Sequence, residues 1–279
     1  MNDIHNQIID TLNDRRIHQL LLLKNRDERD RAGLFLIDGI RPVLQAIDRQ
    51  ASFESLIVSS DLLSSVPAQR AVRQLCRQGV PILYVSPEIY RGLSNAEEPQ
   101  GIGAVVRQRW EPLHGVRPSR GLCWVAVESV RFPGNLGTII RTSEAVGGAG
   151  LILIGESADP YDSSTVRASM GALFNQRFVR TTQQEFAEWK RRRQCTLVGT
   201  SITAQKIYCE VAYPRPTILL LGSEKKGLSD PMQSLCDVNV KIPMVGRSDS
   251  LNVGVAAGIM LYELFNQHHK LKLAPTSAI

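Results

Sequence analysis

The chain switches between short continuous apolar runs and stretches in which apolar residues recur every three or four positions, the signatures of buried strands and one-faced helices. Residues 1–25 read as a polar leader and a short helix ending in Leu20–Leu23. Leu34–Ile37 follows Gly33 as a strand, and Ile40, Val43, Leu44 and Ile47 share one face of a helix. Leu56–Ser59 is strand-like, Ala68–Gln78 helical, and Ile82–Val85 strand-like between Pro81 and Pro87; Ile102–Val106 follows Pro99-Gln100-Gly101 as a last strand. This alternation predicts a small α/β domain over residues 26–106.

Residues 107–120 hold two prolines and little apolar pattern, which predicts a linker. Beyond it, residues 121–279 carry strand candidates at Cys123–Val127, Leu151–Ile154, Arg177–Val179, Thr196–Gly199, Ile218–Leu221 and Val238–Ile242. Helical stretches at about 135–147, 163–173, 183–194 and 252–268 separate several of them. Uninterrupted apolar strands such as Ile218-Leu219-Leu220-Leu221 suit a parallel sheet covered on both faces. In the last helix Val253, Ala256, Ala257, Met260, Leu261 and Leu264 form a buried stripe, while Gly254 and Gly258 are costly unless something packs closely against them.

Composition narrows the classes of function. A 279-residue chain with 43% hydrophobic content buries a real core, and its length favours two modest domains. No run approaches a membrane span, and Met1-Asn2-Asp3-Ile4-His5 lacks the basic-then-apolar pattern of a secretory signal. Five scattered cysteines (76, 123, 195, 209, 236) form neither a CxxC pair nor a zinc spacing, so reduced thiols, a cytoplasmic location and no metal are expected. The formal charge of +6 fits an anionic partner, and 25 of the 33 basic residues are arginine, whose planar fork matches phosphate. A GC-rich genome would inflate arginine equally.

Three short stretches hold the candidate chemistry: Pro133-Gly134-Asn135-Leu136-Gly137 running on to Arg141, Leu221-Gly222-Ser223-Glu224, and Ile242-Pro243-Met244 followed by Ser250-Leu251-Asn252. Each sets polar residues and turn glycines where an apolar strand ends, the edge at which open α/β sheets bind ligands. Asn135 is placed to cap the following helix, and Ser250 or Asn252 to cap the last one. Gly222 to Gly227 has the spacing of a phosphate-binding P-loop, but Leu228-Ser229 stands where that loop needs Lys then Ser or Thr, so this reading fails. The three stretches contain no histidine, no HExxH or Ser-His-Asp pattern stands out, and no GxGxxG opens a helix after a strand. A hydrolase and a dinucleotide enzyme are therefore disfavoured.

Taken in order, the three stretches closely resemble the motifs of the SpoU (TrmH-like) family of the SPOUT superfamily, S-adenosylmethionine-dependent RNA ribose 2′-O-methyltransferases. The resemblance covers about residues 120–268. More loosely, Asn25-Arg26 to Asp38-Gly39 and Pro99-Gln100-Gly101-Ile102 resemble the family's substrate-binding module, an α/β unit related to RNA-binding ribosomal proteins. Gly254 stands where many relatives have Ser, and Ser223 where many have Asn. The resemblance implies a parallel sheet with a trefoil knot, a rare exception to unknotted folding, and a homodimer with the site at the subunit interface, for which the glycine-lined last helix offers a packing surface. It implies that Thr200, Gly222, Ser223, Glu224, Ile242, Met244 and Leu251 surround S-adenosylmethionine. Arg141 becomes the central catalytic residue, with Asn135, Glu224, Ser250 and Asn252 placing the ribose and holding the arginine. A guanidinium stays protonated and has no acceptor, so Arg141 suits gripping a phosphate and steadying an alkoxide better than accepting a proton. Arg26, Arg29, Arg31 and Arg41 cluster around a strand start as candidate RNA contacts. The module favours 23S ribosomal RNA as substrate; a tRNA substrate, a non-catalytic ribosome assembly factor keeping the fold, and a nucleotide-binding metabolic enzyme are the alternatives.

Overall fold

The computed structural model describes residues 8–269, so Met1 to Gln7 of the expected leader and the last ten residues lie outside the description. The chain forms two compact units. One runs up to Arg109 and also takes in Asp159–Asn175; the other comprises Trp110–Ala158 and the chain from Gln176 onward.

The first unit contains α1 (Arg15–Leu22), α2 (Arg26–Ala32), β1 (Leu34–Asp38), α3 (Ile40–Asp48), β2 (Phe53–Val58), α4 (Val66–Arg77), β3 (Ile82–Tyr84), α5 (Pro87–Leu93) and β4 (Ile102–Arg107). Its sheet has the order β1-β4-β2-β3, with β4 antiparallel to both neighbours and β2 parallel to β3. The expected leader is partly built into it: Ile9 is buried and bridges to Val85, and Ile17 and Leu20 join the same core. Helix α2 carries no apolar stripe and escapes detection by periodicity. Asn25 caps it by accepting from the Asp27 amide, and Gly33, left-handed at φ 65°, ends it.

Residues 159–175, expected in the C-terminal domain, belong to this first unit. Asp159 lies here, and its carboxylate accepts from Arg29 Nε at 2.9 Å and pairs with Nη2 at 2.8 Å. Arg29 Nη1 also donates to the carbonyls of Leu23 and Lys24 at the end of α1. Phe35 packs against Tyr161 and Phe174. The segment includes α7 (Ser163–Ala168).

In the second unit come β5 (Trp124–Glu128), α6 (Pro133–Ala145), β6 (Gly150–Ile154), β7 (Phe178–Thr181), α8 (Gln183–Arg191), β8 (Thr196–Thr200), β9 (Lys206–Ile207), β10 (Thr217–Leu221), α9 (Asp230–Leu235), β11 (Val238–Lys241) and α10 (Val253–His269). The seven strands are parallel, in the order β7-β6-β5-β10-β8-β11-β9. Strands β5, β6 and β10 are buried throughout, as uninterrupted apolar runs require when helices cover both faces. The expected linker divides between the units: Arg107 ends β4, and from Trp110 the chain is pinned to this unit, where Val116 is buried in the core and Trp124 Nε1 donates to the Arg117 carbonyl at 2.9 Å. In α10 the stripe Val253, Ala257, Met260, Leu261 and Leu264 is buried as expected, with Gly254 added and Ala256 half-buried. A Cβ on Gly254 would sit 3.1 Å from the Thr138 methyl, so this glycine serves the close approach of α6. Among the described residues no helix is long and apolar enough to cross a membrane, and no group of three or more His, Cys, Asp or Glu is placed to hold a metal.

Candidate active site

The strand order brings the three motifs together. Strands β5, β10, β8 and β11 are consecutive neighbours and parallel, so the segments after Glu128, Leu221, Thr200 and Lys241 emerge at one edge of the sheet. That edge, outside the carboxyl ends of the strands, is where open α/β sheets hold ligands. Here lies a cavity of about 500 Å³. All seven residues expected around the cofactor line it: Thr200, Gly222, Ser223, Glu224, Ile242, Met244 and Leu251, together with Ser250. Ser201, Ile202 and Thr203 complete one wall and went unnoticed in the sequence, although their place directly after a buried strand was the available signal.

The loop after β10 is closed tightly. Ser223 and Gly227 exchange both backbone hydrogen bonds, at 3.0 and 2.9 Å, and Gly227 turns the chain at φ 67°. A Cβ on Gly222 would lie 2.0 Å from the Gly227 carbonyl carbon, so no other residue fits without opening the loop. Met244 and Leu251 remain 36% and 38% exposed while lining the cavity. Apolar side chains such as Ile202, Met244 and Leu251 beside hydroxyls, carboxylates and ammonium groups suit a ligand that has a flat aromatic part and a polar, charged tail, which is the make-up of S-adenosylmethionine.

Glu224 does something the sequence did not disclose. Its carboxylate accepts from the backbone amides of Arg131 and Phe132, both at 3.2 Å, and from Asn135 Nδ2 at 2.9 Å. Helix α6 begins at Pro133, and its N-cap Phe132 has no side chain able to cap. The loop after β10 thus supplies the cap, a negative charge at the helix N-terminus. Asn135 is therefore not the cap expected of it: it is the third residue of the helix, and its Oδ1 accepts from Asn252 Nδ2 at 2.9 Å. Asn252 does cap α10, accepting at Oδ1 from the Gly254 and Val255 amides. Glu224, Asn135 and Asn252 form one chain of hydrogen bonds joining the three motif loops. Burial raises the Glu224 pKa, but the bonds from Asn135, Arg131 and Phe132 outweigh it and hold the carboxyl below its ordinary value of 4.5. Oε1 accepts two of these bonds and Oε2 one, so in this structure the carboxylate ties the loop after β10 to the start of α6.

Arg141 is exposed. It follows Asn135 by six residues on α6, which places it about 9 Å further along the axis and about 120° around it. It is not held by Glu224, Asn135, Ser250 or Asn252; among the described residues none of them forms a bond to it. Of the arginines expected to meet RNA, Arg29 is excluded: its side chain is 5% exposed and spent on Asp159 and the α1 carbonyls. Arg26 pairs with Asp30 at 3.8 Å and Arg31 with Glu28 at 2.8 Å, both at the surface, and Arg41 is exposed at the start of α3.

Residues 123–262 match the family model described as the SpoU rRNA Methylase family. The chain belongs to that family. Residues 14–104 match a second model, the MRM3-like substrate binding domain. A 23S rRNA (uridine(2479)-2′-O)-methyltransferase from Streptomyces viridochromogenes is 33% identical, covering 91% of this chain and 90% of that protein. A 23S rRNA (guanosine(2553)-2′-O)-methyltransferase from Bacillus subtilis is 26% identical over 92% of this chain and 98% of its own. Among solved structures, an AdoMet-bound rRNA methyltransferase from Sinorhizobium meliloti superposes with a TM-score of 0.85 at 30% identity, covering 94% of this chain and 98% of that one.

For this SpoU chain the Glu224 network makes a testable claim. Glu224→Gln keeps the shape but turns an amide NH₂ towards groups that are themselves donors, so a loss of about 1–3 kcal/mol in stability is expected. Because the folded-state pKa is lowered, the carboxylate's contribution is complete above the unfolded value and fades as pH falls through the folded one. The variant's unfolding free energy should approach that of the wild type at acid pH and separate from it at neutral pH. An equal gap at both would remove the charge from the explanation.

Proposed function

We propose that this chain transfers a methyl group from S-adenosylmethionine to a ribose 2′-hydroxyl of 23S ribosomal RNA. The carrying observation is the cavity at the carboxyl edge of β10, β8 and β11, walled by all the residues expected around the cofactor, one of which, Glu224, begins the hydrogen-bond chain through Asn135 to Asn252. Bound there, the cofactor supplies a methyl group already activated on a sulfonium. Gly222, Ile242, Met244 and Leu251 hold it, with Thr200 and Ser223 at the rim. Asn135, Ser250 and Asn252 place the ribose. Arg141 grips the neighbouring phosphate and steadies charge growing on the attacking oxygen. It has no acceptor, and three hydrogen bonds hold the Glu224 carboxylate to Arg131, Phe132 and Asn135, so the hydroxyl proton passes to solvent. Alignment of hydroxyl and donor then contributes on the order of several kcal/mol to the rate.

The finer assignments belong to this reading. The knot is expected where the chain passes from β11 through Ile242–Leu251 into α10. A homodimer, with the site at the subunit interface, is supported by large apolar side chains left exposed on α10 and beside α6: Val255, Tyr262 and Phe132 at 51%, 50% and 56%. The first unit binds RNA, with Arg26, Arg31 and Arg41 as contacts, and catalysis belongs to the chain from about residue 121. An rRNA substrate places the enzyme in the cytoplasm.

The test removes the acceptor atom. Once the methylated nucleotide is mapped, an RNA fragment carrying a single 2′-deoxy nucleotide there should bind within a few-fold, because phosphates and flanking bases supply most of the affinity. It should accept no methyl group. Label from methyl-tritiated cofactor on that fragment would refute ribose methylation and leave a base as the target.

A further inference from the structure

The edge of the second unit opposite the cofactor loops is lined with arginine. Because all its strands are parallel, their starting ends also share one edge. The pairings Trp124↔Ile218 and Thr217↔Thr196 set the starts of β5, β10 and β8 side by side. Neighbouring strands lie about 4.8 Å apart, so the segments entering these three strands form one continuous surface. Into β5 leads the turn Arg117 to Arg120, closed by the Arg120 amide on the Arg117 carbonyl at 3.0 Å. Into β8 leads Arg191-Arg192-Arg193, and into β10 leads Arg215; the Thr196 amide donates to the carbonyl of Pro216 at 2.8 Å, which joins the last two segments.

Structural duties account for only some of these cations. Lys190 pairs with Asp237 at 3.0 Å, and Arg177 with Glu111 at 3.3 Å. Arg193 lies over the Trp189 ring and donates to the His114 carbonyl at 3.2 Å. The end of α8 attracts positive charge through the helix dipole, which accounts for Arg191 as far as stability is concerned. Arg117, Arg120, Arg191, Arg192 and Arg215 are exposed, and among the described residues none has an acidic partner. Holding them together opposes folding through repulsion and is offset when phosphates neutralise them.

We infer that this arginine edge is a second RNA-docking face, one that grips the sugar-phosphate backbone of a double-helical stem flanking the methylated nucleotide. The inference rests on the proposed RNA methyltransferase activity. A stem is favoured over a single strand because surfaces for unpaired RNA interleave aromatic platforms for the bases. Here Trp124 and Trp189 are withdrawn, at 0% and 8% exposure, and the half-buried Trp110 ring is covered by the Arg180 guanidinium at 3.8 Å. Guanidiniums alone read backbone and shape. Strands of four or five residues put this edge about 15 Å from the cofactor edge. Only an RNA extending well beyond its target nucleotide reaches both.

The experiment uses the full-length protein with Arg117, Arg120, Arg191 and Arg192 changed together to Gln, and a companion with all four changed to Lys. Binding is measured across a salt series to a 23S rRNA fragment with its flanking stems and to a short single-stranded oligonucleotide around the target. For the long fragment the Gln variant should bind roughly ten- to a hundredfold more weakly, with a log–log salt slope shallower by up to about 3. Its KM for that RNA should rise while kcat at saturation and cofactor affinity stay unchanged, and thermal unfolding should come no lower than in the wild type, because like charges have been removed. The short oligonucleotide should not distinguish the variants, and the Lys variant should retain most of the affinity. Unchanged affinity and slope for the long fragment would overturn the docking face and leave an acidic protein surface as the partner. Equal weakening for stem-free and stem-bearing RNA would overturn the stem. A wild type that methylates neither RNA would instead count against the activity itself.

Discussion

Replacing Arg141 with alanine should lower methyl transfer at least about a hundredfold, the scale for losing one preorganised group that stabilises developing charge, with cofactor affinity within a few-fold of wild type. The separation follows from geometry. Arg141 is the ninth residue of α6, in its third turn, exposed, and is not among the residues lining the cavity proposed for the cofactor. Its guanidinium has no acceptor, so its contribution is charge and donor geometry, and lysine at this position should restore only part of the rate. Single-turnover methylation with saturating RNA and cofactor isolates the chemical step. A variant that keeps more than a few per cent of wild-type turnover would take Arg141 out of the catalytic machinery.

The largest stability effect is expected at Arg29, a residue that reads from the sequence as an RNA contact. Arg29→Ala takes the paired guanidinium away from the Asp159 carboxylate, whose side chain is 3% exposed, and strips a donor from the carbonyls of Leu23 and Lys24 just after α1. Breaking one side of a buried pair costs about 3–5 kcal/mol, a large share of a domain's stability. Changing Arg29→Met together with Asp159→Leu should recover part of that loss, because no uncompensated charge remains; the bonds to Leu23 and Lys24 stay lost. Chemical denaturation, with hydrogen exchange resolving the first unit, reads both variants. A surface role for Arg29 predicts the reverse: little change in stability and a loss confined to RNA binding.

The contrast between these two arginines measures how far the sequence could be read. The strands were legible because buried parallel strands need continuous apolar runs, and Thr217–Leu221 or Gly150–Ile154 permits no other environment. The cofactor loops were legible for a related reason: glycines and polar residues at a strand end have few uses besides a turn that exposes backbone to a ligand. At Gly222 the turn needs a glycine for its own closure, since an added Cβ would meet the Gly227 carbonyl carbon at 2.0 Å. Helix α2 was hidden because seven residues rich in charge, Arg26–Ala32, carry no periodic stripe, and caps at Asn25 and Gly33 do the work that an apolar face does elsewhere.

By itself, then, the sequence determined the α/β class, the parallel sheet, the three motif loops at its carboxyl edge and the membership of a family. These depend on local periodicity and turn chemistry, which act over a few residues and leave their mark there. The tertiary structure decided which charges are free and which are spent. Arg29 and Asp159 are 130 residues apart and Glu224 and Asn135 are 89 apart, as are many side chains that close a ring around a site. Whether a polar side chain faces solvent, caps another segment's helix or neutralises a distant carboxylate is settled by strand order and by which segment joins which unit. No spacing within the chain encodes that, because the partner comes near only when the sheet assembles.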